Sequence, residues 1–245
     1  MLNEFVTGAR AFLAGFGMWR SRPSLMALAL LPALGVLLVM GGLLSWLGVW
    51  LVGLVPGWTG FADGWPGWAA GLLRFAMASG ITLALAIVLI VSFTAITLAV
   101  GDPLYTRIAL ATDELLGGPV PNQSAAWTTW LSDALRLALQ GLLGGLAIAL
   151  VGLVPGIGTA IAAVTGFLFS SWLLATGLIA SALERRGFDR TARARLRRSR
   201  PWRVLGFGMV AQALFLIPGG AVLMMPTASS GATRLARSLV GEPSL

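Results

Sequence analysis

Charge along the chain is confined to short segments separated by long apolar runs. Charge-free stretches cover residues 23 to 62, 75 to 101, 137 to 183 and 204 to 233, and a bilayer core needs about 20 apolar residues of helix. Ahead of the first run, Leu2, Phe5, Val6, Ala9, Phe12, Leu13 and Phe16 recur at steps of three and four, with Asn3, Glu4, Thr7 and Arg10 opposite. That spacing predicts an amphipathic helix over 2–18, lying in the membrane interface or packed on other helices of the chain.

The first run predicts a transmembrane helix over 23–54, longer than a bilayer requires and free to tilt. "GLVPGWTGFADGWPGW" (53–68) follows as an external turn with interfacial tryptophans, and a second transmembrane helix is expected over 72–100. Gly101-Asp102-Pro103 then reads as a helix start, with a capping carboxylate and a proline where no amide hydrogen is missed. A short cytoplasmic helix is expected over 102–116, with Leu104, Ile108, Ala111 and Leu115 on one face and Gly117-Gly118-Pro119 as its stop.

The last two runs are each interrupted by proline and glycine. "VPGIGT" splits 137–183 at Pro155, Gly156 and Gly158, and "IPGG" splits 204–233 at Pro218. Arginines stand on both sides of each run, so each is expected to be a hairpin that enters and leaves on one face. The limb 204–217 would rise only about 21 Å and cannot cross, whereas 137–154 just reaches across, so spanning stays open there. Backbone broken at membrane depth must be buried by protein or reached by water. This predicts a packed, oligomeric assembly that is pore-like or contains a cavity.

Composition sharpens the class: 57% of residues are hydrophobic and 11% charged, with a mean hydropathy of +0.87, as in an integral membrane protein. The absence of cysteine and histidine removes disulfides, thiolate chemistry, Cys/His metal sites and histidine acid-base catalysis. No enzymatic constellation, cofactor motif or Walker-type phosphate loop is present, so an enzyme is not expected and no cofactor or metal is implied.

All 17 basic residues are arginine and the net charge is +8. In a membrane protein this points to cytoplasmic loops and anionic lipid, and no nucleic-acid-binding signature accompanies it. Arg10, Arg20 and Arg22 precede the first run. Arg185, Arg186, Arg190, Arg193, Arg195, Arg197, Arg198, Arg200 and Arg203 crowd the loop 184–203, while the 53–68 turn has no basic residue. Both termini and the arginine loop are therefore expected in the cytoplasm. Arg10 and Arg20 interrupt any signal-peptide core, so the N-terminus is expected to stay on the mature chain.

Three segments resemble a known family. "LVPGIGTAIAAVTGFLFSSWLLA" (153–175) resembles the Ile-Pro-Gly-Ile-Gly hairpin of the CysZ-like sulfate permeases, within the etoposide-induced protein 2.4 domain family. "FGMVAQALFLIPGGAVLMMPTASSGAT" (207–233), including Pro226, resembles that family's closing pattern, and "GDPLYTRIALATDELLGG" (101–118) its proline-opened helix. The resemblance implies an all-α inner-membrane protein of bacteria with two long transmembrane helices and two pairs of partly penetrating helices. It also implies a homo-oligomer and sulfate entry for cysteine biosynthesis. Departures accompany it. The family's arginine pair inside the first long helix falls on Met26 and Ala27, its first acidic helix position on Leu110 and its second on Asp113. Its asparagine after Ile-Pro falls in Gly219-Gly220.

For substrate binding the candidates are Arg20 and Arg22 with the helix-start amides of Ser24, Leu25 and Met26, a set that suits a small inorganic anion. The same arginines also serve as cytoplasmic anchors beside lipid phosphate. The 185–203 run reads as an anion vestibule or an anionic-lipid surface. Asp113 and Glu114 point about 100° apart on a helix and form no dyad. Ser170, Ser171 and Thr176 line a polar path or let helices pack closely. The expected function is a permease for a small oxyanion, sulfate by family; the alternative is a non-transporting membrane scaffold.

Overall fold

The computed structural model describes residues 1–117, 127–217 and 219–244, and among these the regular structure is helical with no strand. Pro218, Gly118 and Pro119 lie outside the described residues. Two compact units are present, one formed by 1–29 with 103–245 and the other by 30–102. Four helical stretches are long and apolar enough to cross a membrane: Pro23–Trp50, Gly67–Ala86, Ser132–Gly152 and Gly158–Arg185. The protein is accordingly a multi-pass membrane protein.

The first unit opens with α1 (Leu2–Ala14), α2 (Gly17–Ser21) and α3 (Pro23–Leu28). The helix expected over 23–54 is broken here. Ala29 and Leu30 form a turn, and α4 (Leu31–Trp58) starts afresh with the Leu34 amide donating to the Leu30 carbonyl. Pro32 accounts for the break, because its nitrogen has no hydrogen for the Leu28 carbonyl and its ring would collide with that oxygen.

The second unit holds α4, a 3-10 turn at Gly60–Ala62 and the first part of α5 (Gly67–Leu116). The helix α4 runs on to Trp58, so the turn expected over 53–68 is shorter. Arg74 ties it down, donating to Asp63 at 2.5 Å and to the buried Thr59 hydroxyl at 3.0 Å.

Gly101, Asp102 and Pro103 do not start a separate helix over 102–116: α5 continues through them, with Pro103 inside it and Asp102 exposed. A full break in an apolar setting strands several backbone groups, whereas an internal proline forfeits one hydrogen bond. At the other end Gly117 (φ 72°) closes α5 in the left-handed conformation favoured for glycine caps.

The later elements of the first unit are α6 (Trp127–Gly152), α7 (Gly158–Arg185), α8 (Arg190–Ser199), α9 (Pro201–Phe215) and α10 (Gly220–Val240). Helices α6 and α7 form a hairpin around Pro155 and Gly156. Gly156 has φ 89°, and a Cβ on Gly158 would meet the Val151 carbonyl oxygen at 2.5 Å. Both limbs are long enough to cross. The outer face of α6 presents Leu135, Leu139, Leu142, Leu146 and Leu150 as an exposed stripe suited to lipid or other apolar helices.

The segment 184–203 is not a loop: α8 occupies its centre. Asp189 caps that helix by accepting from the Ala192 amide at 2.7 Å, and Pro201 sits at the first position of α9. Helix α9 rises only about 22 Å. Between α9 and α10, Gly219 takes φ 77°, the left-handed region that asparagine tolerates best after glycine, and a Cβ on Gly220 would meet the Leu214 carbonyl at 2.0 Å.

In the core, α9 is packed between α1 and α7, with α10 across them. Phe12, Ile179, Val204, Phe207, Ala211 and Leu235 are buried together. Glycines set the spacing. A Cβ on Gly8 would meet the Arg203 carbonyl at 1.9 Å, on Gly206 the Phe5 carbonyl at 2.2 Å, and on Gly208 the Ser171 carbonyl at 2.1 Å. Such small-residue seams let apolar helices approach closely. Of the two readings of the N-terminal helix, packing on other helices of the chain describes its inner face, since Phe12 is fully buried; Leu2 and Leu13 on the outer face stay exposed.

Candidate functional site

The polar chemistry of the first unit is carried by arginines, which the structure sorts into three groups. Arg20, in α2, and Arg22, at the N-cap of α3, both precede α3 and are exposed. Arg22 reaches Glu114 at 3.6 Å with both side chains about half open, a weak contact. Ser24 is exposed and Leu25 half-buried beside them. Met26 does not belong with this set. Its side chain is fully buried and its amide donates to the Arg22 carbonyl at 3.2 Å, so neither is free for an anion. The reason is helical counting, since the fourth residue of the helix makes the first backbone bond. Ala27, the other position aligned with the family's arginine pair, is exposed.

The second group is structural. Asp113 is fully buried, and its Oδ1 accepts from Arg186 at 2.5 Å and from Arg237 at 3.0 Å. Arg237, itself only 2% exposed, also donates to the carbonyls of Gly117 and Pro243, each at 2.5 Å. A guanidinium thus sits on the carbonyl end of α5, where the helix dipole favours a cation. Glu242 lies 3.4 Å from Arg186 and 3.6 Å from Arg237. This hub joins the ends of α5, α7 and α10. Glu114 points away from it to the surface, as the angular offset on a helix requires. Sequence spacing places Arg186 among many arginines expected in the cytoplasm and does not reveal the Asp113 hub; the family's second acidic position at Asp113 is the available signal.

A second lock fixes the N-terminus. Arg203 donates to both Glu4 oxygens, at 2.7 and 2.8 Å, and to the Ser238 carbonyl at 3.2 Å. The Arg203 hydrogen bond holds the Glu4 carboxyl below the usual range, opposed by desolvation and helped by the charges of Arg203 and Arg200. A carboxylate depressed in the folded state stabilises above its unfolded pKa and loses that stabilisation as pH falls through its folded value. Glu4→Gln is therefore expected to melt lower than the parent near neutrality, with the two converging below about pH 4. Thermal unfolding of the detergent-purified protein across that range checks this, and a gap that persists unchanged in acid counts against the lock.

The third group lies on and beside α8. Arg190 and Arg193 both grip Asp133 of α6, with Arg190 Nε at 2.7 Å from one oxygen and Arg193 at 2.7 Å from the other. Arg195 and Arg198 are exposed. The run 185–203 is thus not one vestibule: Arg186, Arg193 and Arg203 are largely buried in ion pairs.

Ser170 and Ser171 donate to the Phe167 carbonyl at 3.1 and 2.7 Å, and Ser171 lies on the α9 seam, so both serve packing. The "MPTASSGAT" segment does likewise. Pro226 is buried inside α10, Trp19 donates to Thr227 at 3.0 Å, Thr112 to Ser230 at 3.0 Å, and Ser229 to the Tyr105 carbonyl at 2.8 Å. Among the described residues, no group of acidic side chains could hold a metal ion.

Comparison with known proteins gives one family: the family model described as Sulfate transporter CysZ/Etoposide-induced protein 2.4 matches residues 11–226. No curated protein matches the chain.

Proposed function

The chain belongs to the sulfate transporter CysZ/etoposide-induced protein 2.4 family, and we propose that it is a permease or channel-like transporter for a small inorganic oxyanion. Sulfate entering for cysteine biosynthesis is the favoured cargo. The observation that carries this reading is the family match over 11–226, which runs through the four helices long enough to cross. The proposed setting is a bacterial inner membrane, with both termini and α8 in the cytoplasm and the chain assembled as a homo-oligomer. Exposed apolar faces such as that of α6 support such an assembly.

Arg20 and Arg22, with the amides of Ser24 and Leu25, are the proposed first contacts for the anion. Guanidinium forks match oxyanion geometry, and amides at a helix start supply further donors without covalent chemistry. The buried, apolar Met26 where the family places an arginine favours a second reading, a non-transporting scaffold that organises the membrane.

The two readings separate in proteoliposomes of the purified protein loaded against labelled sulfate, with selenate, phosphate and chloride as competitors. Saturable uptake above empty vesicles is expected, and Arg20→Ala with Arg22→Ala should lower it about tenfold, the loss of one or two charge-assisted hydrogen bonds. Uptake of no anion above empty vesicles refutes transport. Uptake indifferent to the double substitution leaves transport standing and rejects these two residues as contacts.

A further inference from the structure

Between α6, α7 and α8 lies a cavity of about 390 Å³, within the size range of small-molecule sites. Its walls carry Arg136 from α6 and Arg190, Arg193, Arg197 and Arg198 from α8, against Asp133 as the one lining carboxylate. Both Asp133 oxygens are already taken by Arg190 and Arg193. Among the described residues no carboxylate pairs with Arg136, Arg197 or Arg198, so most of the positive charge facing this space is uncompensated.

Two donors lining the cavity are buried and have no hydrogen-bond partner among the described residues. Thr176 of α7 lines the cavity, is only 7% exposed, and its hydroxyl has no hydrogen-bond partner. A helical threonine normally bonds the carbonyl one turn back, as Thr165 of the same helix does with Ile161 at 2.6 Å. Arg193 is 3% exposed and its Nε is likewise unpartnered. Buried polar groups in folded proteins nearly always find a partner. Burial and then the neighbouring Arg193 push Arg197 below the usual guanidinium range, opposed by Asp133.

The buried unmet donors are the Thr176 O–H and the Arg193 Nε–H, and beside them Arg136, Arg197 and Arg198 have no carboxylate partner among the described residues, so the ligand this lining fits is anionic and rich in acceptor oxygens. We propose that this cavity binds a tetrahedral phosphoryl or sulfuryl oxyanion, held by Arg136, Arg193, Arg197 and the Thr176 hydroxyl. The group arrives either as the headgroup phosphate of an anionic lipid or as the free ion. Leu137, Trp172 and Leu173 form an apolar wall beside the arginines, the surface that the glycerol and acyl part of a lipid would meet. The site is separate from Arg20 and Arg22 and holds whether or not the chain transports.

The test uses the full chain purified in detergent and four probes: phosphatidylglycerol, phosphatidylcholine, sodium phosphate and sodium sulfate. Native mass spectrometry counts bound lipid and isothermal titration measures the ions. Arg136→Gln with Arg197→Gln leaves the Asp133 ion pairs intact, Thr176→Val keeps the side-chain shape, and Arg195→Gln, outside the cavity, controls for bulk charge. Binding of phosphatidylglycerol over phosphatidylcholine identifies lipid as the source, and binding of phosphate or sulfate identifies the free ion. In either case the double variant should weaken binding about tenfold or more, and Thr176→Val by a smaller factor, while Arg195→Gln leaves it unchanged. Equal behaviour of parent and double variant toward all four probes overturns the proposal, as does an equal loss in Arg195→Gln.

Discussion

Asp113→Asn is expected to lower the stability of the folded protein by about 3–5 kcal/mol, the range for removing one partner of a buried ion pair. Asp113 is fully buried, and it is the carboxylate that Arg186 and Arg237 share. Without it two guanidiniums remain at the junction of α5, α7 and α10, with, among the described residues, only the partly exposed Glu242 near them. The penalty comes from the stranded cations more than from the lost attraction, because a buried charge without a counter-charge has surrendered its hydration for nothing. Glu242→Gln, at a group that water partly screens, should cost far less. Thermal unfolding in detergent measures both. An Asp113→Asn protein that melts with its parent would show that the hub does not hold these helices together.

Gly8→Ala sets local preference against tertiary fit. Alanine in a helix interior is favoured over glycine by roughly 1 kcal/mol, so α1 taken alone should gain from the change. In the folded protein the new Cβ would lie 1.9 Å from the Arg203 carbonyl oxygen, a backbone atom that cannot rotate away. Helices α1 and α9 would have to separate, loosening the Glu4–Arg203 pair and the edge-to-face contact of Phe12 with Phe207, whose ring centroids are 5.5 Å apart. A net loss of roughly 1–3 kcal/mol is expected, as for overpacked cores. Gly145→Ala in α6, where nothing lies within 4 Å of the new carbon, should instead be neutral or stabilising. A Gly8→Ala protein as stable as Gly145→Ala would mean that the α1–α9 seam is not close-packed.

Much of the architecture was legible because its signals are local. Charge-free length marks a membrane helix, and Pro-Gly pairs mark reversals of the chain, so the α6–α7 and α9–α10 hairpins follow from the runs around Pro155 and Gly219. Local signals also misled where two outcomes share one dipeptide. Asp102-Pro103 suits a helix start, yet the same proline is carried inside α5. The apolar run over 23–54 reads as one helix, yet α3 ends at Leu28, ahead of Pro32. Which outcome holds depends on whether the neighbouring backbone groups find partners elsewhere.

By itself, then, the sequence determined the class of protein and the segregation of arginine to a few segments, which follow from composition and from spacing along the chain, and three of its motifs carried the resemblance to the family. Only the tertiary structure decided which arginines are locked and which are open. Arg186, Arg237 and Asp113 are far apart in sequence and meet only when three helix ends converge, while Thr176 and Arg193 come to face one cavity through the packing of α7 and α8. A guanidinium reads the same in a sequence whether it will be paired in the core or left lining a cavity. Its role depends on the charges brought within a few ångströms of it, and those come from distant parts of the chain.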